Sequence, residues 1–482
     1  MQPHDPYLLH DEDIRRFITD GYLSVQAGLP AAFHEQVYRK IEEVFAEEGN
    51  PGNNLLPRIP EIQQVFDQPA VKGALTSLLG PGHLMHPHRY CHLNKPGGSG
   101  QSWHKDDYVF DQKVRHARFR WVMAFYYPQD VTEDMGPTGI LPGRQWYNQI
   151  SDPDATRTTE PARPLCGAAG TVSIVNFDVW HRATANVSQK NRYMLKFQFT
   201  RMAEPKSPAW HAIDPTWTPA AHDPTPAVSE AVWHWLHGER QPNLSGGGKT
   251  IDYWLAALDE NNEATRLLAA YRLGAFGEAA VDPLLDRLRQ TAEETALANA
   301  AKTPSNPAGG NPSELPAACA LSAVGLPAEK KLIQALDDSS WWVRATAADI
   351  LGDINASPVK VLPPLLRLLN DDNVWVRRNA ADAISTIGGF DGDAEPALSN
   401  ALQDEDERVR RNIAFALSKH PLASDDLVTA LVRIIHEDEG RYVRYYALAA
   451  LKQMATPAAR EALWQEMLTS RWCPVTHKKS AY

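Results

Sequence analysis

Short apolar runs and longer apolar stripes divide the chain in two. Between residues 84 and 200 the hydrophobic segments are brief, aromatic and bounded by Gly/Pro clusters: RFRWVMAFYY (118–127), GTVSIVNF (170–177) and RYMLKFQF (192–199). Runs of this length and composition predict strands. Ahead of them, residues 11–20, 31–48 and 69–79 carry apolar positions at helical spacing. The first half is therefore expected to be a β-rich domain with helices packed outside it. From about residue 226 onward the spacing is helical.

The second half also repeats. Val343-Arg344 in DDSSWWVRATAADIL returns as Val376-Arg377, Val409-Arg410 and Val443-Arg444, at intervals of 33, 33 and 34 residues. Six residues before each arginine stands an aspartate: Asp338, Asp371, Asp404 and Asp438. A fixed period in this range predicts a helical solenoid, in which each helix pair buries its apolar face on its neighbours. An earlier copy is expected at Glu260 and Arg266; the 78 residues from Arg266 to Arg344 leave room for one degenerate repeat interrupted by the Pro/Gly/Asn-rich loop 302–313. The pattern resembles HEAT-like repeats over about 250–470. Asp and Arg recurring in every unit point to scaffold rather than catalysis: the carboxylate can cap a helix start, and the arginine can bond it or its neighbour in the stack. The expected organisation is a domain over 1–225, a linker helix and loop over 226–250, the solenoid over 251–472 and a tail over 473–482.

Composition narrows the function classes. The chain has 482 residues, 43% hydrophobic and 22% charged. It contains no run near the roughly 18 apolar residues that span a bilayer. The N-terminus, MQPHDPYLLHDEDIRRF, has neither the basic nor the apolar region of a signal peptide, so a cytoplasmic location is expected. Four cysteines, Cys91, Cys166, Cys319 and Cys473, lie far apart without a CxxC, which offers neither a zinc knuckle nor a disulfide framework. A net charge of −11 works against binding to nucleic acid or anionic lipid.

Candidate chemistry begins at GQSWHKDDYVF (100–110). A histidine and an aspartate two apart on an extended segment project to the same face, so His104 and Asp106 can grip one ion while Lys105 points away. The spacing alone is weak, because His436-Glu437-Asp438 repeats it at a repeat junction. Mononuclear non-haem iron oxygenases need a second histidine to complete a facial triad. His181, at the end of VNFDVWH, is the best candidate, and Arg192, eleven residues on, is placed to fork onto a cosubstrate carboxylate. His83, His86, His88 and His92 look metal-like but fall on one strand with mixed facing and no carboxylate nearby, so they are not read as a site and at most line a pocket. LSGGGKT (244–250) lacks the first glycine of a phosphate loop and reads as linker.

The series Trp103-His104-x-Asp106, Arg120-Trp121-x-x-Ala124, Gly136-Pro137-Thr138 through Pro142-Gly143, Gly170, Asn176-Phe177, Trp180-His181, Asn186-x-Ser188 and Arg192 resembles the phytanoyl-CoA dioxygenase family over about 10–215. The resemblance implies a double-stranded β-helix (jelly-roll, cupin-like) with flanking helices. It also implies Fe(II) on His104, Asp106 and His181, and 2-oxoglutarate on Arg192, with Trp121 lining that pocket. Gln101 is grouped with these cosubstrate contacts, and Tyr108, Arg120, Tyr126 and Met135 are candidates to face substrate. The chain departs from the family at Arg144-Gln145, where Ser-His is usual, and at Ala183, where a hydroxyl is often found. Halogenating relatives replace the carboxylate with a small residue; Asp106 is retained, which favours hydroxylation, although desaturation or cyclisation by the same oxidant stays open.

The expected activity is thus an O2-consuming, Fe(II)/2-oxoglutarate-dependent oxygenase acting on a small or carrier- or peptide-tethered substrate. The solenoid would present substrate, bind a protein partner or mediate self-association, with no role for nucleic acid or membrane. The rival reading is a scaffold protein with a vestigial jelly-roll.

Overall fold

The structure, a computed structural model, describes residues 5–106, 117–150, 162–239, 247–302 and 314–469. These fall into two compact units, the first ending at Glu239 and the second beginning beyond it.

The first unit is built on two antiparallel sheets. Its strands are β1 (Tyr22–Gln26), β2 (Leu84–Asn94), β3 (Trp121–Tyr126), β4 (Thr138–Ile140), β5 (Arg163–Pro164), β6 (Thr171–Asn176), β7 (His181–Ala183) and β8 (Arg192–Thr200). Five of them form a sheet in the order β1-β6-β3-β8-β2, and three form a smaller one in the order β5-β4-β7. The three strands predicted from apolar runs are β3, β6 and β8, which lie side by side in the centre of the larger sheet. Every residue of these three strands is buried, including the polar Ser173 of β6 and Arg192, Lys196 and Gln198 of β8. One face meets helices: Tyr193 packs on Tyr38 and Phe45 of the helix Ala31–Glu48, and Phe197 on Phe66 of the helix Ile62–Asp67. By the two-residue alternation of a strand, Arg192, Met194, Lys196 and Gln198 then share the opposite face of β8. Their neighbours in register put Trp121, Met123 and Phe125 of β3 and His92 and Asn94 of β2 on that same face.

The helices predicted at 11–20, 31–48 and 69–79 are present as Asp11–Asp20, Ala31–Glu48 and Pro69–Leu79. The helix Pro226–Leu236, assigned from sequence to a linker, instead packs into the first unit. Trp233 donates to the Pro215 carbonyl at 2.7 Å, Trp235 packs on Phe119, and Arg15 lies over the Trp233 ring. Its tryptophans bury apolar area that a free linker would leave in water.

The second unit is a stack of helices. Glu263–Gly274, Pro316–Val324, Trp341–Asp353, Val374–Ile387, Glu407–Lys419 and Arg441–Met454 follow one another as neighbours, with shorter or flanking helices between them. The repeated Asp and Arg join successive units. Arg344 forks onto Asp371 (2.8 and 3.0 Å), Arg377 onto Asp404 (2.8 and 3.3 Å) and Arg410 onto Asp438 (2.6 and 3.1 Å). Each of these arginines also bonds the carbonyl of its own repeat's aspartate, at 2.8–3.0 Å. Each aspartate in turn accepts a backbone N–H two residues on. The earlier copy differs in one respect. Arg266 pairs with Glu263 inside its own helix, and the first rung runs from Arg289 to Asp338. The loop read at 302–313 lies outside the described residues except for Lys302. Among the described residues, no helix is long and apolar enough to cross a membrane.

Arg377 and Asp404 are each 10% exposed at the side chain. Removing one partner of such a pair strands the other charge, so Arg377→Ala is expected to destabilise the helical unit by about 3 kcal/mol. Urea unfolding checks this; a loss below about 0.5 kcal/mol, the range of ordinary surface changes, would contradict it.

Candidate metal centre

Three side chains from distant parts of the sequence converge beside the inner face of the larger sheet. His104, Asp106 and His181 bring one ligand atom each to within 4.8 Å of one another. Backbone pairing produces this meeting: His104 and His181 form an antiparallel bridge, exchanging N–H···O bonds of 3.0 Å in both directions. The two imidazole rings face each other with centroids 4.5 Å apart, and His181 also packs on Phe125 of β3. Asp106 Oδ2 lies 3.7 Å from His181 Nε2.

The imidazoles are oriented for ligation. His104 Nδ1 is 3.0 Å from the Ser102 carbonyl and His181 Nδ1 is 3.1 Å from the Val179 carbonyl. A carbonyl only accepts, so both Nδ1 atoms carry the proton and both Nε2 lone pairs are left available. Burial pushes His181 down to about 4 against the opposing pull of Asp106, which keeps it neutral near pH 7. Burial alone would raise the Asp106 carboxyl, but His181 and the Lys196 ammonium outweigh it and hold the group well below the usual carboxylate range. Two imidazoles that keep Nε2 free and one carboxylate, with one ligand atom each within 4.8 Å of one another, are the donor set of a facial triad, which suits a divalent iron ion.

Arg192, at the start of β8, is 1% exposed. Its Nε and Nη2 donate to the Gly136 carbonyl at 3.1 and 2.7 Å, while the buried Nη1 has no hydrogen-bond partner among the described residues. Gly136 is required where it stands: its φ is +68°, and a Cβ there would come within 2.4 Å of Asn94 Nδ2 and 2.7 Å of the Thr184 carbonyl. Asn186 and Ser188 shape the turn before β8, with the Asn186 amide donating to the Asn94 and Lys190 carbonyls and its oxygen accepting from Ser188.

The remaining candidates divide. Trp121 lies on the inner face, its ring edge-on to His86 at 5.3 Å. Gln101 is exposed and zips its segment to β7, donating to the Ala183 carbonyl through its backbone and accepting the Ala183 N–H on its side chain; that engagement differs from the cosubstrate contact expected of it. Arg120 forks onto Glu204 at 2.7 and 3.1 Å, a structural ion pair rather than a substrate contact. Tyr126 points to the helical side, where its hydroxyl meets His34 Nδ1 at 2.8 Å; the even step from Ala124 puts it on the far face from the metal residues. Met135 is buried in the loop just before Gly136. Tyr108 lies outside the described residues.

Lys196 and His92 join the site. Lys196 Nζ donates to Asp106 Oδ2 at 2.7 Å, with both side chains at most 10% exposed. Lys196 stands four residues after Arg192 on one strand, so its inward direction was readable from alternation. His92, expected only as pocket lining, is pushed down to about 3 by burial, with the Lys196 charge adding to the effect and Asp106 opposing it. Lys196→Met would leave Asp106 without its buried cation, and the metal-free protein is expected to lose about 3 kcal/mol of stability at pH 7. Denaturant unfolding with and without a divalent metal checks this: the metal should recover part of the loss, and an unchanged midpoint would contradict the pairing.

The sequence matches the phytanoyl-CoA dioxygenase (PhyH) family over residues 17–194, and HEAT repeats over 329–418 and 394–475. Two uncharacterised proteins, one from Mycobacterium bovis and one from Mycobacterium tuberculosis, are each 37% identical over 70 residues, 14% of this chain. The chain spans about a quarter of the length of these curated relatives, 25% in each case. Among solved structures, SnoK, an alpha-ketoglutarate-dependent carbocyclase from nogalamycin biosynthesis, is similar at 18% identity, covering 40% of this chain and 85% of its own, with a TM-score of 0.33. The epimerase SnoN, in complex with Fe3+, alpha-ketoglutarate and nogalamycin RO, is similar at 16% identity over 40% of this chain and 84% of its own, with a TM-score of 0.31. AviO1 from Streptomyces viridochromogenes is similar at 16% identity over 44% and 98%, with a TM-score of 0.32. The stretch that matches the phytanoyl-CoA dioxygenase family, residues 17–194, contains His104, Asp106, His181 and Arg192, and the same chain carries HEAT repeats at 329–475.

Proposed function

We propose that the first domain is an Fe(II)/2-oxoglutarate-dependent oxygenase that hydroxylates an unactivated C–H bond, with its two sheets acting as the halves of a jelly-roll. The observation that carries this reading is the convergence of one ligand atom from each of two imidazoles and one carboxylate within 4.8 Å, each imidazole fixed by a carbonyl behind it. A bound ferrous ion with 2-oxoglutarate and O2 would supply the oxidising chemistry. His104, Asp106 and His181 would hold the metal, and Arg192 would hold the cosubstrate. Arg192 offers a buried guanidinium whose Nη1, with two N–H groups, has no hydrogen-bond partner among the described residues, the group that a dicarboxylate's far end needs. Trp121 and Phe125 supply apolar surface on the same face of the sheet, with Phe125 packed on His181. Lys196 balances the Asp106 charge and limits its swing. The substrate is read as a small or carrier-tethered molecule, and the solenoid as the surface that presents it or binds a partner protein. A cytoplasmic location accords with this reading.

The reading is tested by 2-oxoglutarate consumption in air with Fe(II). Wild type should form succinate even without substrate, and Asp106→Ala should not. Absence of succinate from the wild-type protein would favour a scaffold role.

A further inference from the structure

The inner face of the bridge between His104 and His181 carries the candidate ligands; its outer face carries a second pattern. Because residues 104 and 181 are opposed in an antiparallel bridge, residue 103 stands opposite 182 and residue 105 opposite 180. Both of these pairs match a cation to an aromatic ring. The Arg182 guanidinium lies over the Trp103 ring, 4.4 Å from its centroid, and the Lys105 ammonium over the Trp180 ring at 5.6 Å. The polarity is crossed, with the ring on the first strand in one pair and on the second strand in the other. Alternation places all four side chains away from the imidazoles.

These residues are also tied outward. Lys105 Nζ donates to the Gln145 carbonyl at 2.7 Å and Trp180 Nε1 to the Tyr147 carbonyl at 3.0 Å. The Gln145 side chain donates to the Ile18 carbonyl at 2.8 Å and the Thr19 carbonyl at 3.3 Å. Gln145 is where the family usually has histidine, and here it links the ligand-bearing segment to the end of the helix Asp11–Asp20. Arg182 is in register with Gly139 of β4, and a Cβ at that glycine would lie 3.6 Å from the Trp103 ring and 3.8 Å from the Arg182 stem, in ordinary contact with both.

The backbone hold on the ligand segment is short. Among the described residues, His104 is an isolated bridge and not part of a longer strand, and the nearest further pairing is Gln101 with Ala183. A register slip of one residue would turn His104 and Asp106 to the wrong face. We propose that Trp103–Arg182 and Lys105–Trp180 are positioning pairs that lock His104 and Asp106 in register with His181, so that metal affinity is set from the outer face of the sheet. Cross-strand pairs of this kind act on register through side chains directly opposite one another. The inference rests on reading His104, Asp106 and His181 as metal ligands.

Cobalt(II) alone is the probe, with affinity read by chelator competition and coordination by its visible spectrum. Lys105→Met and Arg182→Met keep the aliphatic stems and remove the cations. Each is expected to weaken Co(II) binding several-fold and the double variant by about 10–100-fold, the range found for groups that orient metal ligands. Lys105→Arg should bind as wild type does. Far-UV circular dichroism identifies variants that fold; if the double variant does not, the single variants decide. Wild-type affinity and spectrum in the folded variants, with His181→Ala inactive in binding, would overturn the positioning role alone. A wild-type protein that binds no Co(II) would overturn this inference together with the metal reading.

Discussion

Replacing His181 with alanine is expected to reduce Fe(II) affinity by more than about 100-fold, beyond the 10–100-fold typical of changes to the groups around metal ligands, and to abolish succinate formation. His181 is the ligand with the least freedom. It is 5% exposed, held by its backbone to His104 and by Nδ1 to Val179, and backed by Phe125. Loss of its Nε2 leaves a histidine and a carboxylate that come from a segment bridged at one residue. Two donors from one short segment do not define three positions on an octahedron. Metal content after dialysis against Fe(II) under anaerobic conditions checks this, and stoichiometric iron in the folded variant would contradict it.

The second large effect is on cosubstrate. Arg192→Ala is expected to weaken 2-oxoglutarate binding by about 2–4 kcal/mol, or ~30- to 1,000-fold, while metal affinity stays near that of wild type. The guanidinium is buried and committed on one edge to the Gly136 carbonyl. That contact fixes its plane and leaves Nη1 for an anion. Burial lowers the Arg192 pKa from its usual value, yet an arginine stays charged, and a charged group this deep is stabilised by an anionic partner. Arg192→Lys keeps the charge and loses the fork, so an intermediate affinity is expected. Isothermal titration of the metal-loaded protein with 2-oxoglutarate measures both. A change below about threefold in Arg192→Ala would remove the residue from the cosubstrate site.

The convergence of these three candidate ligands was legible because alternation is a strong constraint: His104 and Asp106 share a face on any extended segment, and His181 follows β6, a strand of the larger sheet. Arg192 was legible for the same reason. Lys196 was not singled out, although it lies on the same face of the same strand, because a lone lysine in an apolar run says nothing of the carboxylate it meets across the sheet. Tyr126 and Arg120, read only as candidates to face substrate or pack in the core, have partners that the sequence did not reveal. In a strand covered on both faces the sequence does not alternate in polarity, and which face is which depends on what packs there. His34 on a distant helix claims Tyr126, and Glu204 claims Arg120. The helical repeats were read from periodicity, which survives substitution better than any single residue. The Asp–Arg rungs between neighbouring units needed coordinates, since the same spacing allows a bond within one repeat or across two.

The most direct test of the account is an anaerobic titration of the metal-free protein with Fe(II) and then 2-oxoglutarate, monitored in the visible range. Chelation of the keto acid by a ferrous ion on His104, Asp106 and His181 should give a charge-transfer band that saturates at one equivalent and is absent from His181→Ala. A wild-type protein that shows no band with both components in excess would contradict the central claim.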